Sequence, residues 1–563
     1  MEEVRKDNGK KISNSRSSTD NQSSSSYTKK GVDRIPTSAW KTLAILSSIA
    51  TLVMYTETML VPSLPNIIKE FNLSYSISPW ILTTYLIVGA VMTPVTSSLA
   101  EIYGKKKILL IVMGVYAAGV IVGGQTTNLY SFIIARGMQG VGTSMFPIAF
   151  SVIREQFPKS RLAIGQGVIT SMFASGSILG LLVGATIAEY SGWRTTFMSI
   201  LPIAILLPIV VWKFARIGEV HSDWKMTTTT ITRQSQHQSH HTLSYNSEKK
   251  TLDVYGAATL AATITLFLLS LTFIETATNG SSNNTQAVSQ LLATLSVGCI
   301  AAFVAFLIAE RRAAYPLIDL KLLRNKVLLL TNVMMIILGF SMFMVFQTIP
   351  ILAESPPPAG FGDTITGAAM IQLPFSIILL IFGPTSGYIV SKLGSIRPAI
   401  MGYALNAFGF FMLAAFHSQP WMVSVGLAII STGLSLGSVG LMNIVLLATP
   451  YKNMVTSVGM TSLLRIVGSS IGPAVAGVLM QLHQVTIPGH TGTFPSPESY
   501  TLIFLIAAFM STVSVMMTLK MRQLLLKNEE GDAAKPNVII SENAGEDSNN
   551  ISNNKKTPSK GDA

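Results

Sequence analysis

Long apolar stretches alternate with short polar segments along almost the whole chain. Fourteen such stretches, numbered here as predicted spans one to fourteen, are each about as long as the roughly 20 residues that a helix needs to cross a bilayer core. They lack the period-two alternation of a membrane β-barrel, and only helices or closed barrels satisfy every backbone group in lipid. The pattern therefore predicts an all-α polytopic membrane protein. The spans are Leu43 to Leu64, Pro79 to Ala100, Ile108 to Thr126, Tyr130 to Ile153, Leu162 to Ala188, Trp193 to Trp212, Val254 to Ile274, Val288 to Ile308, Val327 to Leu352, Ile365 to Val390, Ala399 to Phe416, Trp421 to Leu447, Val455 to Met480 and Tyr500 to Leu519.

Basic residues collect on one side of the predicted membrane. Of the 40 Lys and Arg residues, all but four lie in the two tails or in the segments on the same side as the tails. Lys69 and Arg194 lie on the other side, and Arg136 and Arg465 lie within spans. Cytoplasmic segments carry such an excess of basic residues, whereas a soluble helical core would not sort its charges by alternate segments. We therefore predict a multi-pass protein of the cell membrane with both termini cytoplasmic.

Composition agrees with this interpretation and excludes other classes of protein. The chain of 563 residues is 49% hydrophobic and 12% charged. Its net charge of +13 is explained by cytoplasmic segments that face anionic lipid, so nucleic acid is not an expected partner. Cys299 is the sole cysteine, which excludes an intrachain disulfide. No phosphate-binding Gly loop or HExxH motif is present, so neither an enzyme nor a nucleotide-driven pump is predicted.

Two features of the chain recur at nearly one spacing and predict two homologous halves. The small, apolar, Gly and basic positions around Gly104, after span two, recur around Gly394, after span ten. The glycines around Gly180 in span five recur around Gly472 in span thirteen. Parallel halves with a site between them are a transporter architecture. The predicted organisation is a disordered tail (1–37), a six-helix bundle (38–214), a linker (215–252), an inserted helix pair (253–309), a second six-helix bundle (310–521) and a disordered tail (522–563).

Several motifs resemble those of the major facilitator superfamily, and specifically its drug:proton antiporter branch with fourteen transmembrane helices. Gly104, Lys105 and Lys106 match the signature between helices two and three, although Glu101 stands where that signature has Asp. The segment Phe132 to Gly142 is similar to the helix-four signature. The other matches are Gly176, Gly180 and Gly184 of the antiporter signature, which has Pro at the position of Leu181, together with Pro316 to Asn325 and Arg465 before Gly468. The resemblance covers roughly Thr42 to Leu519 and implies the major facilitator fold.

Glu57 and Arg136 are the candidate residues for proton coupling. Glu57 is the only acid clearly within the hydrocarbon depth, and an ionisable group there needs a cavity or a partner. Counted from the outer boundary, both residues lie at a depth of about 10 Å, which makes them candidate neighbours. We hypothesise that protonation of Glu57 alternates with cargo binding or with pairing to Arg136. A structural Glu57 that never titrates, and an Arg136 that is only a structural clamp, are the alternatives.

The remaining candidates belong to three groups. We assign Gln139, Phe346, Gln347 and Arg465 to the substrate cavity, although Phe346 and Gln347 are equally compatible with ordinary core packing. The resemblance implies that Leu99, Glu101, Gly104, Lys105 and Lys106 form a conformational motif, with the lysines beside Glu101 as a charge latch; simple anchoring of the topology is the alternative. The helix-packing motif contains Gly176, Gly180, Gly184, Gly468, Gly472 and Pro473, and it suits either sliding helices or static packing.

Together these features predict a secondary transporter that exports small amphipathic or lipophilic compounds in exchange for protons. It would work without a cofactor, with a proton gradient as its energy source, and as a monomer whose partners are the lipid bilayer and a small-molecule substrate. Two alternatives remain at this stage. One is an importer or exchanger of a nutrient or metabolite on the same scaffold, and the other is a non-transporting receptor or sensor. The His-rich linker, with His237, His240 and His241, fits either a metal site or a solvated linker.

Overall fold

The protein is described here by a computed structural model that covers residues 35–157, 162–215, 217, 253–279, 285–313, 316–318, 320–449, 454–490 and 492–533. The predicted tails before residue 35 and after residue 533, and most of the predicted linker with its three histidines, lie outside the described residues. Their predicted disorder therefore stays a prediction.

The described chain is almost entirely helical. The first set of helices, the N-terminal set, consists of α1 (Thr37–Thr58), α2 (Leu64–Glu70), α3 (Trp80–Tyr103), α4 (Lys105–Gln125), α5 (Leu129–Gly140), a 3₁₀ turn (Val141–Ser144), α6 (Met145–Gln156), α7 (Leu162–Leu179), a π-helical turn (Gly180–Gly184), α8 (Ala185–Ser191) and α9 (Trp193–Phe214). A helix pair follows, α10 (Val254–Asn279) and α11 (Thr285–Arg312). The C-terminal set consists of a 3₁₀ turn (Leu322–Arg324), α12 (Lys326–Glu354), α13 (Ile365–Leu393), α14 (Ile396–Ala415), α15 (Pro420–Ala448), α16 (Met454–Leu482), β1 (Gln484–Thr486), β2 (Thr493–Pro495) and α17 (Pro497–Ala533).

Thirteen helical stretches of the described residues are long and apolar enough to cross a membrane. Predicted span four is the one that is missing from this number. It coincides with α5, the 3₁₀ turn and α6, which follow one another without a gap, and neither α5 nor α6 alone has the length of a span. The other thirteen predicted spans each coincide with one of these stretches. The last helix continues to Ala533, into the segment that the sequence assigned to the C-terminal tail.

Glycines bring helices into close contact at equivalent places in the two sets. In the N-terminal set, Gly176 and Gly180 face the main chain of α1, where an added Cβ would lie 2.6 Å from the oxygen of Thr51 and 2.7 Å from that of Tyr55. In the C-terminal set, an added Cβ at Gly468 would lie 2.1 Å from the oxygen of Ile336 on α12. Because backbones approach this closely only where side chains are absent, the sequence repeat corresponds to a repeated helix contact.

The helix pair α10 and α11 lies beside the two sets. Its α10 packs against both α3 and α16, around a cluster that includes Ile87, Leu268 and Leu463. The indole Nε1 of Trp80 on α3 donates a hydrogen bond of 3.0 Å to Thr272 Oγ1 on α10. By contrast, α11 packs mainly on α10, and only 6% of its apolar stretch is buried. The pair therefore contacts both sets from the periphery.

One end of the molecule, called here the hairpin end, carries α2, the loop 355–364 and the antiparallel hairpin of β1 and β2. The opposite end, where α1 begins and α17 ends, is called the tail end. Hydrogen bonds between described residues join the two sets at the hairpin end. They run from Asn66 Nδ2 to Glu354 Oε2 (3.0 Å), from the main-chain nitrogen of Thr366 to Glu189 Oε2 (2.8 Å) and from the main-chain nitrogen of Tyr75 to Gln481 Oε1 (2.7 Å).

Candidate functional site

Arg136 is the best-defined charged group inside the helical bundle. Asn128 caps the helix that carries it, since its Oδ1 accepts from the nitrogen of Ser131 at 2.9 Å. The Arg136 side chain is fully buried, and its Nε donates to the carbonyl oxygen of Ile81 at 2.9 Å. Its Nη1 donates to the oxygen of Thr56 at 3.4 Å and to Gln139 Oε1 at 2.9 Å. The guanidinium thus joins α1, α3 and α5. Its rigid, planar set of donors allows it to bond several acceptors at once.

Gln139 lies behind Arg136 and not on a cavity wall. Its Oε1 accepts from Arg136, and its Nε2 donates to the carbonyl oxygen of Gly119 on α4 at 2.9 Å. Gly123 provides the space for this amide, because a Cβ there would lie 2.9 Å from Gln139 Nε2. In this structure Gln139 orients Arg136, and its assignment to the substrate cavity stays a prediction.

Two tyrosines that the sequence analysis did not single out complete this network. The ring of Tyr85 lies under the guanidinium of Arg136, 4.6 Å from its Cζ, and its hydroxyl donates to the oxygen of Val53 at 3.3 Å. The hydroxyl of Tyr116 forms a hydrogen bond with the Thr56 hydroxyl. Both tyrosines are buried. A buried tyrosine in a membrane span needs a polar partner, and that need was the available signal for both of them.

Glu57 and Arg136 meet at the wall of one small cavity between the two sets. Besides these two residues, the cavity is lined by Val61, Leu82, Leu86, Phe343 and Phe346. It has room for about one water molecule. The Nη2 of Arg136 is buried without a hydrogen-bond partner among the described residues, and Glu57 forms no ion pair among them. The site therefore places a carboxyl group and a guanidinium group at one cavity, with no ion pair between them.

Arg465 acts on the same acid from the other set of helices. It lies on α16, is half-buried, and interacts electrostatically with Glu57, as does Arg136. The main-chain oxygen of Arg465 packs against Gly339 of α12, where a Cβ would lie 2.1 Å away. Glu57 is thus subject to one positive charge from each set of helices. This interaction is compatible with a brace between Arg465 and Glu57, and the predicted place of Arg465 in the substrate cavity stays a prediction.

Of the two candidates on α12, Phe346 lies on the cavity wall and Gln347 does not. The ring of Phe346 is 6.2 Å from that of Phe343 and 6.0 Å from that of Phe375. Gln347 is fully buried elsewhere, and neither of its amide atoms has a hydrogen-bond partner within the part of the chain that the structure describes. Its place in the substrate cavity stays a prediction.

The conformational motif contains a turn and an ion pair at the tail end. Gly104 separates α3 from α4 with a φ of 95°, a conformation that favours glycine. Lys105 pairs with Glu155 at the end of α6 and donates to Ser151 Oγ. Leu99 packs against the core. Among the described residues the ion-pair partner of Lys105 is Glu155, and Lys106 forms no ion pair. The side chain of Glu101 lies outside the described residues, so the predicted latch with Glu101 stays a prediction.

The helix-packing motif lies at a change of helix type. Gly180 begins the π-helical turn and Gly184 ends it, and a Cβ at Gly184 would lie 2.7 Å from Met59 Cβ. In the C-terminal set, α16 continues through Pro473, which removes one backbone hydrogen bond from the helix. π-helical turns occur frequently at functional sites, and this one lies between α7 and α8. The contact between this turn and α1 is therefore a candidate for a functional role besides packing.

A fold of two similar helical sets, with opposite charges facing a cavity at their junction, defines an integral membrane transporter. The family model of the Major Facilitator Superfamily matches residues 46–473. The chain belongs to this family, so it is a transporter of small molecules in a lipid bilayer and not an enzyme, as predicted. The receptor alternative is thereby set aside.

Relatives and solved structures agree with the family and differ in what they transport. The chain is 24% identical to an uncharacterised MFS-type transporter of Mycobacterium tuberculosis, over 85% of this chain and 68% of that protein. It is also 24% identical to the multidrug resistance protein Stp of the same species (77% and 75%) and 23% identical to the tetracenomycin C resistance and export protein of Streptomyces glaucescens (78% and 76%). The crystal structure of the nucleoside transporter NupG, 13% identical, matches with a TM-score of 0.55 over 86% of this chain and 99% of that one. The human organic anion transporter MFSD10, 12% identical, matches with a TM-score of 0.53 (85% and 99%).

Proposed function

We propose that the protein exports small amphipathic or lipophilic compounds in exchange for protons, by alternating access. In this proposal α5, the 3₁₀ turn and α6 form one span, which brings the number of spans to fourteen, and α10 and α11 form the inserted pair. The tail end faces the cytoplasm, in keeping with the basic residues there, so both termini are cytoplasmic. The protein works as a monomer.

The placement of Glu57 carries the proposal. A carboxylate at the junction of two rocking halves, acted on by an arginine of each half, changes its interactions with both when it gains or loses a proton. In the ionised form Glu57 attracts a cationic cargo or Arg136, and in the protonated form it attracts neither. Proton binding and cargo binding at this cavity are therefore alternatives, which is the requirement for exchange.

The cavity wall opposite Glu57 supports an apolar cargo. Phe343 and Phe346 of α12 face Glu57 and Arg136 across the cavity, with Val61, Leu82 and Leu86 beside them. Aromatic and aliphatic side chains around one charged group suit compounds with an apolar body and a polar or cationic group. The cavity is small in this conformation, so cargo binding requires the halves to move apart at one end. The similarity to a multidrug resistance protein and to a resistance and export protein favours the same substrate class.

Transport of a lipophilic cation into proteoliposomes with an imposed pH gradient tests this function. The wild type should move the cation against its gradient when protons flow in the opposite direction, and collapse of the pH gradient should stop it. Glu57→Gln should abolish the dependence on the pH gradient, whereas Glu498→Gln, at an exposed acid of the hairpin end, should not. Movement of the cation in the same direction as protons would favour an importer, and full proton coupling in Glu57→Gln would overturn the assignment.

A further inference from the structure

A second acid, Glu354, lies at the junction of the two sets at the hairpin end. It is the last residue of α12, and its Oε2 accepts from Nδ2 of Asn66 on α2 at 3.0 Å. Its other oxygen, Oε1, is buried and has no hydrogen-bond partner among the described residues. One oxygen of this carboxylate thus forms a contact between the sets, while the other is buried without a donor.

The surroundings of Glu354 are negatively charged. Glu189 of α8 and Asp363 of the loop before α13 are the charged groups that act on it. Glu189 itself crosses the junction, since its Oε2 accepts from the nitrogen of Thr366. Three carboxyl groups from both sets therefore lie close together when the hairpin end is closed.

The other charged groups of this end are occupied or lie elsewhere. On α2, which packs against α12, Glu70 is bonded to Trp193 and Arg194, and the side chain of Lys69 is exposed. His483 and His490 belong to the β-hairpin segment, His417 packs on the ring of Phe504, and His483 is near Glu498. A test of Glu354 therefore needs a variant at Glu354 itself, so that its effect is separated from that of these neighbouring side chains.

An ionised carboxylate is destabilised where one oxygen is buried without a donor and two like charges are nearby. A proton on Oε1 removes that charge and leaves Oε2 free to accept from Asn66. When the hairpin end opens, water reaches the group and stabilises the ionised form. Closure and protonation of Glu354 therefore favour each other, by the reciprocity that links any two coupled equilibria.

We propose that Glu354 is a pH-sensitive latch of the hairpin end, which closes when Glu354 binds a proton and is loosened when it loses one. The inference rests on the proposed alternation between two open states. Because the hairpin end faces outward in that proposal, external acid would favour closure after cargo has left. Glu354 takes its proton from that side and returns it to that side, so it regulates the cycle and does not add to the exchange performed at Glu57.

Distance measurements between spin labels across the junction test the latch without measuring transport. The labels are placed at Lys69→Cys on α2 and Thr486→Cys on β1, both exposed positions, in a Cys299→Ser background. In lipid nanodiscs, pulsed electron resonance from about pH 5 to about pH 9 should show the short distance at low pH and a growing population of longer distances as pH rises. Glu354→Gln, which mimics the protonated acid, should keep the short distance at every pH. Glu498→Gln, the matched control, should titrate like the parent.

A second variant keeps the test decisive if Glu354→Gln fails to fold. Asn66→Ala removes the hydrogen bond across the junction but leaves the three acids in place, so it should lower the short-distance population at every pH and still titrate. Titration of Glu354→Gln like the parent would assign the response to other groups and overturn the latch. A parent protein that does not respond to pH would also overturn it. Glu354→Gln should keep proton-coupled efflux. Glu57→Gln should lose that coupling but keep the pH dependence of the distance between the spin labels. Failure of one proposal can therefore be distinguished from failure of the other.

Discussion

Gly472 of α16 lies against the main chain of α12 so closely that a Cβ at Gly472 would be 2.2 Å from the carbonyl oxygen of Phe340. The contact has a counterpart in the N-terminal set, where Gly180 faces the oxygen of Tyr55 in the same manner. In each set the contact lies near residues of the charged site, since Phe343 is three residues after Phe340 and Glu57 is two residues after Tyr55. The close contacts between these helices therefore also help to position the residues of the site.

Substitution of Gly472 by Ala should destabilise the protein because the added methyl group meets backbone, which cannot move aside as a side chain can. We expect a loss of about 1 to 3 kcal/mol, the usual cost of overpacking. Gly459→Ala is the matched control, since it lies on the same helix with no atom within 4 Å of its Cβ position. Thermal unfolding in detergent measures both, and equal midpoints for the two variants would contradict the close contact.

Replacement of Arg136 by Lys should show whether the guanidinium matters for its shape or only for its charge. An ammonium group cannot reach the oxygens of Ile81, Thr56 and Gln139 together, so at least one buried acceptor loses its partner, at about 1 to 3 kcal/mol. Arg397→Lys, at an exposed position of α14, should be nearly neutral. Chemical unfolding compares the two, and an unchanged stability of Arg136→Lys would mean that charge alone suffices.

The ion pair of Lys105 and Glu155 should contribute a small but measurable coupling energy. The Glu155 side chain is 45% exposed, so a double-mutant cycle with alanine should give about 0.2 to 1 kcal/mol. The same cycle with Lys106 in place of Lys105 should give a value near zero, because Lys106 forms no ion pair within the described chain. Comparable values in both cycles would indicate that the lysines act only through the general charge of the tail end.

Acid should loosen the hairpin end of the N-terminal set through Glu70, which lies outside the spans. Burial alone would raise the pKa of Glu70, but hydrogen bonds from Trp193 and Arg194 and the Arg194 charge outweigh it and lower that pKa. A lowered pKa means that the stabilisation is complete above about pH 4.5 and is lost as pH falls through the folded value. Trp193→Phe removes the 2.6 Å hydrogen bond from Nε1, so its unfolding midpoint should depend less on pH in this acidic range. An identical pH profile for the wild type and Trp193→Phe would refute the role of this bond.

Sequence patterns located most of the elements because each span has to satisfy lipid along its whole length. The one disagreement in number, span four, has a local cause. Gly140 packs on the main chain of Tyr85, and Gly142 packs on the ring of Tyr116. The 3₁₀ turn (Val141–Ser144) begins directly after Gly140 and includes Gly142. Hydropathy records the apolar stretch but not the contacts that change the helix type within it.

The sequence by itself determined the helical class, the order of the spans, the repeat and the few ionisable residues inside the membrane, because the cost of burying a polar group in lipid acts on every residue independently of its neighbours. Only the tertiary structure decided which of these residues meet. It joined Gln139 to Arg136, paired Lys105 with Glu155, and placed Glu57 where charges from both sets act on it. Those outcomes depend on the rotation of each helix about its axis and on glycine contacts between helices far apart in the chain, which apolar residues on every face of a span leave unspecified.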